Sequence, residues 1–204
     1  MVTDKNNESV WNHVTPLECS SNPSTLRFAS NNSCVPAKEL LHADIDVTKA
    51  NVCRVGHGMA FVNHLLKIDP AFRVIGLVPC AIRGTTLNEW LPTTKAYYNQ
   101  MLSRTYAALR NGGGQIRLSY GIKSVRNDFG LPTLPIIQVA LPSATNGPYV
   151  KDIRKFQLVL KLPLLSTVDA NGSQLQNDSV HYTSIAQVHM GIAMANAILQ
   201  ISHS

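Results

Sequence analysis

Val74-Ile-Gly-Leu-Val-Pro-Cys-Ala-Ile-Arg-Gly-Thr-Thr-Leu-Asn-Glu-Trp90 is an apolar run that ends abruptly in small, polar and glycine residues. Continuous aliphatic residues from Val74 to Val78 suit a strand covered on both faces, as in a parallel sheet sandwiched by helices. The loop after such a strand is where chemistry sits, because ligands gather outside the carboxyl ends of strands in open α/β sheets. Arg83-Gly84-Thr85 falls at such an end, which makes Arg83 and Thr85 candidate substrate-binding residues. Gly84 has the freedom to bring the backbone close to a ligand and aim an N–H at it, as an oxyanion donor would. A tight strand-to-helix turn would use the same glycine.

Outward from this run the pattern alternates. Met59, Val62, Leu65 and Leu66 share one face of a helix over 57–68 that Asp69-Pro70 ends. Tyr98, Met101, Leu102, Tyr106 and Leu109 form the stripe of a second helix, over 95–111, stopped by three glycines. Leu134 to Leu141 reads as a strand, with Pro135 tolerable only at its start. Tyr149, Ile153, Phe156 and Leu160 mark another helix, Leu164 to Val168 a short strand, and Ser184 to Ile201 a final helix. There Ser184-Ile-Ala-Gln187 matches a capping box, and Ile185, Val188, Ile192, Ala195 and Leu199 recur at steps of three and four. Helices alternating with buried strands predict right-handed crossovers, a parallel sheet and an α/β fold. Two stretches resist this pattern. Residues 1 to about 55 carry three prolines and many Asn and Ser without a sustained period, and read as irregular; Gln115 to Gly130 holds neither a clean strand nor a clean helix.

A chain of 204 residues suffices for a single domain, and nothing in it suggests two. The formal charge of +6 is scattered, with only Lys151, Arg154 and Lys155 close together, and no aromatics interleave with a basic face. No nucleic-acid partner is expected. The N-terminus is polar, so no signal peptide is expected, and no run reads as a membrane span. Sequons at Asn7, Asn31, Asn171 and Asn177 have meaning only in the secretory pathway. Cys19, Cys34, Cys53 and Cys80 include no C-x-x-C pair and no His at zinc spacing, so neither a metal site nor a cofactor is expected. Cys80 reads as a small core residue; the other three have the option of pairing in an oxidising compartment.

Before the final helix stands Asn177-Asp-Ser-Val-His181. An Asp three residues before a His, in a loop entering a helix, bonds the Nδ1–H and leaves Nε2 facing outward as a base. Asp178 and His181 are therefore the catalytic candidates, expected on the same sheet edge as Gly84.

Together, Gly58-Met-Ala-Phe-Val-Asn63, Val74 to Thr85, Leu131-Pro-Thr-Leu-Pro-Ile-Ile-Gln-Val-Ala140, Asp178-Ser-Val-His181 and Leu41-His-Ala-Asp-Ile-Asp46 resemble the plant carbohydrate esterases of the sialate O-acetylesterase-like group, in the SGNH hydrolase superfamily. The resemblance runs collinearly from about Trp11 to Leu199. It implies a flavodoxin-like three-layer α/β/α fold, and removal of acetyl groups from a carbohydrate by a Ser-His-Asp triad. It also implies two gaps. Family members open with a strand ending in Gly-Gln-Ser-Asn-Met, whose Ser is the nucleophile; no residue here matches it, so the nucleophile is none. Their Trp-Tyr-Gln-Gly-Glu-Ser block is passed over between Gln115 and Val125, and Arg83 stands where they usually have a first glycine. Ser119, Ser124 and Ser143 are available hydroxyls, but none lies in a Gly-x-Ser loop. The expectation is an incomplete sheet and an impaired or inactive esterase; the alternatives are a non-catalytic carbohydrate-binding protein or a truncated splice product.

Overall fold

The computed structural model describes residues 2–3, 9–10, 13–47, 54–94, 96–112, 122–145 and 147–202. They form two compact units, Met1–Gln115 and Ile116–Ser204, each built around a parallel strand pair. The architecture is the expected mixed α/β one, with parallel strands and a small sheet.

In the first unit β1 (Val2–Thr3) and β2 (Ser9–Val10) pair antiparallel. The sheet that matters is β4 (Cys34–Pro36), β3 (Thr25–Phe28) and β5 (Ile75–Leu77), in that order. β3 runs antiparallel to β4 and parallel to β5, with Thr25, Leu26 and Arg27 opposite Ile75, Gly76 and Leu77. Two expectations are corrected here. The stretch read as irregular supplies two of these strands; β3 is too short to show an alternation, and both its end residues, Thr25 and Phe28, are buried. The Val74 run is also not covered on both faces. β5 has only three paired residues, half-buried or exposed, because its ladder is as short as its partner and, among the described residues, it forms the sheet edge.

Helix α1 (Gly58–Ile68) buries Met59, Ala60, Val62 and Leu65, close to the expected face. Helix α2 (Ala96–Gly112) is turned from its expected stripe: Tyr98, Met101, Arg104 and Thr105 are buried, whereas Tyr106 is exposed. The rotation is explained by Arg104, only 8% exposed. It donates from Nη2 to Phe28 O (2.8 Å), from Nη1 to Ala29 O (3.5 Å) and from Nε to Pro79 O (3.1 Å). A guanidinium on α2 thus ties together the carboxyl ends of β3 and β5, while its Cζ lies 5.4 Å from the Phe28 ring centroid.

The second unit is a βαβ crossover closed by a long helix. β6 (Ile136–Ala140) and β7 (Leu165–Asp169) pair parallel over five positions, joined through α4 (Val150–Val159). The stretch that resisted reading contains a short helix, α3 (Ile122–Asp128); residues 113–121 lie outside the described ones. Its buried Arg126 mirrors Arg104 at the opposite strand ends, donating to Leu134 O (3.0 Å), Pro163 O (2.7 Å) and Leu164 O (3.3 Å). α4 inverts its expected face: Tyr149 and Phe156 are 70% and 62% exposed. Val150, Arg154 and Gln157, at steps of four and three, turn inward instead, because the two polar side chains serve backbone groups. Arg154 donates to Leu141 O (2.7 Å) and pairs bidentately with Asp169 (2.6 and 2.8 Å), so it is no free solvated cation. Gln157 accepts from Leu141 N (3.0 Å) and donates to Val139 O (3.0 Å).

Helix α5 (Ser184–Ser202) begins one residue earlier than the capping box implied: Thr183 Oγ1 accepts the Ala186 N–H at 3.2 Å. Ala186, Val188, Met190, Met194, Ala195 and Ile198 are buried, while Ile185 is exposed. Against the sequence expectation, Ser184–Ile201 is long and apolar enough by composition to cross a membrane. It packs on β6 and β7, with 44% of that window buried.

Candidate active site

The polypeptide leaving β7 at Asp169 turns at Asn171-Gly172 and makes a narrow antiparallel excursion, with Leu175 bridged to Tyr182, before entering α5. Gln176 N donates to His181 O (2.7 Å), Ser179 N to Gln176 O (2.9 Å), and Gln176 Nε2 to Tyr182 O (2.8 Å). Ser179 takes φ 56°, a left-handed conformation that folds the tip back on itself. This brings Asp178 and His181 into contact. Asp178 Oδ1 accepts the backbone N–H groups of Val180 (3.0 Å) and His181 (2.9 Å), an Asx arrangement, while Oδ2 lies 2.7 Å from His181 Nδ1.

The carboxylate is held well below the usual range. Desolvation alone would raise it, but the two backbone donors and the His181 ring outweigh that. An ionised Asp only accepts, so it fixes the proton of neutral His181 on Nδ1 and leaves the Nε2 lone pair outward. The His181 and Asp178 side chains are 46% and 40% exposed, so the pair lies open to solvent. Among the described residues no hydroxyl bonds Nε2. Ser143 Oγ donates to Asn171 Oδ1 at 2.6 Å, and Ser119 lies outside the described residues, as does the Ser124 side chain.

In the first unit Gly84 has φ +71°, a conformation costly for other residues, and no heavy atom beyond its two chain neighbours lies within 4 Å of where a Cβ would be. The space where a side chain would stand is open. Thr85 is more constrained than a free substrate contact: its hydroxyl donates to Ile82 O (2.8 Å) and accepts from Trp90 Nε1 (2.9 Å). Thr86 and Glu89 then cap the turn Leu87–Trp90, with Thr86 N and Oγ1 donating to Glu89 Oε2 at 2.6 and 2.8 Å. Arg83 sits at the same turn, half-buried. Cys80, after β5, has its thiol pushed up by burial, against the influence of Arg104. Cys19, Cys34 and Cys80 are free thiols, and Cys53 lies outside the described residues.

The family model described as "Carbohydrate esterase, sialic acid-specific acetylesterase" (SASA) matches this chain over residues 2–118 and 115–200. The chain belongs to the SASA carbohydrate esterase family. It is 41% identical to the probable carbohydrate esterase At4g34215 of Arabidopsis thaliana, covering 95% of this chain and 82% of that protein. The X-ray structure of the Arabidopsis AT4G34215 protein superposes with a TM-score of 0.88 at 39% identity, covering 98% of this chain and 90% of the other. The two stretches of the SASA match meet at residues 115–118, where the sequence pattern falters.

Within this SASA chain Asp178 and His181 come together as their spacing implies. Arg83, Gly84 and Thr85 share one turn in the other unit, with Trp90 held against Thr85. Sequence reasoning missed two participants. Arg104 drew no reading, because nothing in a helical pattern marks a buried cation. Trp90 ended the founding run, yet its tie to Thr85 depends on the capped turn Leu87–Trp90, which carries no apolar period.

Proposed function

We propose that this chain is an O-acetyl carbohydrate esterase scaffold whose acid–base pair is ready but which, over these 204 residues, hydrolyses little or no acetyl ester. Its substrate class is an acetylated carbohydrate. Asp178 orients His181 and holds its ring charge, His181 Nε2 is the general base, Gly84 N–H is the oxyanion donor, and Arg83 and Thr85 flank the ester. The carrying observation is the 2.7 Å contact of Asp178 Oδ2 with His181 Nδ1, with Oδ1 fastened by two backbone donors. Such buttressing orients a base for proton abstraction from a hydroxyl or thiol. No Gly-x-Ser loop is present in residues 1–204 to supply that hydroxyl, and the base then has nothing to activate. We read the chain as one esterase domain.

The test is acetate release from acetylated xylo-oligosaccharides by the purified chain and by His181→Ala. The expected result is equal, background rates. Turnover that vanishes in His181→Ala would show that a hydroxyl of this chain serves as nucleophile, and would overturn the impaired reading while sustaining the role of His181.

A further inference from the structure

We propose that Trp90 and Tyr97 form the platform that takes the apolar face of a pyranose ring next to the Gly84 loop. The two rings lie 5.4 Å apart between centroids with their planes tilted by 31°. Trp90 closes the turn Leu87–Trp90, and Tyr97 stands in the first turn of α2; both are half-buried, so each keeps ring surface in solvent. The indole is not free to turn away. Its Nε1–H is bonded to Thr85 Oγ1, which is itself bonded to Ile82 O, one residue before Arg83 and two before Gly84. The loop that would bind the ester and the aromatic pair are thereby one rigid piece, and Thr85 is a positioning residue that sets the distance between them.

The surroundings suit a sugar better than a buried core. Leu87, on the turn that ends in Trp90, is 79% exposed, and Leu91, next to Trp90 in the chain, is exposed as well, so this turn carries uncovered apolar side chains, and the side of Gly84 where a Cβ would stand is open. A pyranose presents C–H groups on its faces and hydroxyls around its rim. Flat aromatic surface with its own polar hydrogen already satisfied matches the face, leaving the rim to water and to the Arg83 turn. The inference rests on the carbohydrate-ester reading above and adds which residues hold the ring.

Trp11 and Trp90 are the only tryptophans, so Trp11→Phe leaves Trp90 as the sole indole reporter. The full chain carrying that change is titrated with acetylated xylo-oligosaccharides and with the same oligosaccharides after deacetylation, by fluorescence and calorimetry, with glycerol as the control solute. Both sugars are expected to shift Trp90 emission saturably and glycerol is not. Tyr97→Leu, which keeps apolar bulk against the indole, is expected to weaken binding about fivefold. Thr85→Val, which frees the indole, is expected to weaken it comparably, with thermal midpoints confirming that both variants fold. Calorimetric binding with an unmoved Trp90 signal and no effect of Tyr97→Leu would overturn the platform and leave the esterase reading intact. Absence of any sugar binding would also overturn the platform, and the esterase reading would then stand or fall on the acetate-release comparison with His181→Ala.

Discussion

Replacing Arg104 with Met should destabilise the first unit by about 2–4 kcal/mol, out of a total of roughly 5–15 kcal/mol for a domain. Two of its hydrogen bonds, to Phe28 O and Pro79 O, have good lengths and involve a charged donor; the third, to Ala29 O at 3.5 Å, counts for little. Charge-assisted bonds contribute about 1.5–3 kcal/mol each, and the ring contact with Phe28 adds up to about 1 kcal/mol. Against this, no carboxylate among the described residues pairs with Arg104, so the substitution removes a buried cation and recovers part of its desolvation cost. Met keeps the aliphatic stem and leaves the carbonyls with fewer donors. Urea unfolding followed by circular dichroism is the assay, with a midpoint drop on the order of 1–2 M at unchanged slope. Arg104→Lys should recover less than half, because a point donor does not reach carbonyls at the ends of two strands at once. If Arg104→Met lies within about 0.5 kcal/mol of the unaltered chain, the clamp adds nothing net and the reasoning fails.

Burial pushes the Glu39 carboxyl up to about 7, against backbone donors at Leu41 and Gly56, and burial lowers His42 to about 4, helped by His57, Arg27 and Arg104 and opposed by Asp46. The raised Glu39 contributes stability that is present below its unfolded value near 4.5 and lost as pH rises to about 7, whereas the depressed His42 loses stability as pH falls from 6.5 towards 4. Their slopes oppose each other between 4.5 and 6.5, so Glu39→Gln should steepen acid destabilisation by up to about 1.4 kcal/mol per pH unit there, in urea melts at stepped pH; a pH-independent difference from the unaltered chain would refute it. The exposed face of α4 should bind ANS, and Ile153→Lys with Phe156→Glu should reduce that binding and the tendency to aggregate without loss of melting temperature; unchanged ANS fluorescence would locate the apolar surface elsewhere. Supplying the Gly-Gln-Ser-Asn-Met strand and the middle block of the family should create acetylesterase activity that Asp178→Asn lowers on the order of 10³–10⁴-fold. If that repaired chain folds and is inert, Arg83→Gly is the variant that separates a blocked oxyanion loop from a wrongly assigned base.

What the sequence revealed depended on how local each signal was. Asp178 and His181 were readable because their contact closes within three residues and needs no distant partner. The strands 136–140 and 165–169 and the helices at 58–68, 96–112 and 184–202 stood out because each has enough apolar residues to show a period. β3 did not: four residues with a central Arg27 look like a loop, and only the bidentate pairing of Arg27 with Asp44, which holds that carboxyl far below its ordinary range, lets the strand carry a charge there. The same blindness turned α2 and α4 the wrong way. A helical pattern sends Arg104, Arg154 and Gln157 to solvent, and the structure sends them inward to satisfy strand ends that the sequence does not show to be in need.

Gln157 has a consequence for how this chain meets other chains. Ile136 N and Ala140 O point toward β7, so the odd-numbered residues of β6 turn their peptide groups the other way, to an edge with no strand among the described residues. A carboxamide has the donor and acceptor of a peptide unit, and Gln157 places them on Val139 O and Leu141 N as a neighbouring strand would. The upper half of that edge is therefore already occupied from within, and an incoming strand finds vacant groups only around Ile137. Such a stub is too short to template a ladder, which makes one side chain a guard against strand-by-strand polymerisation. Gln157→Leu would reopen the edge along its whole length, so its signature would be growth of fibrillar, thioflavin-binding material at a concentration where the unaltered chain stays dispersed.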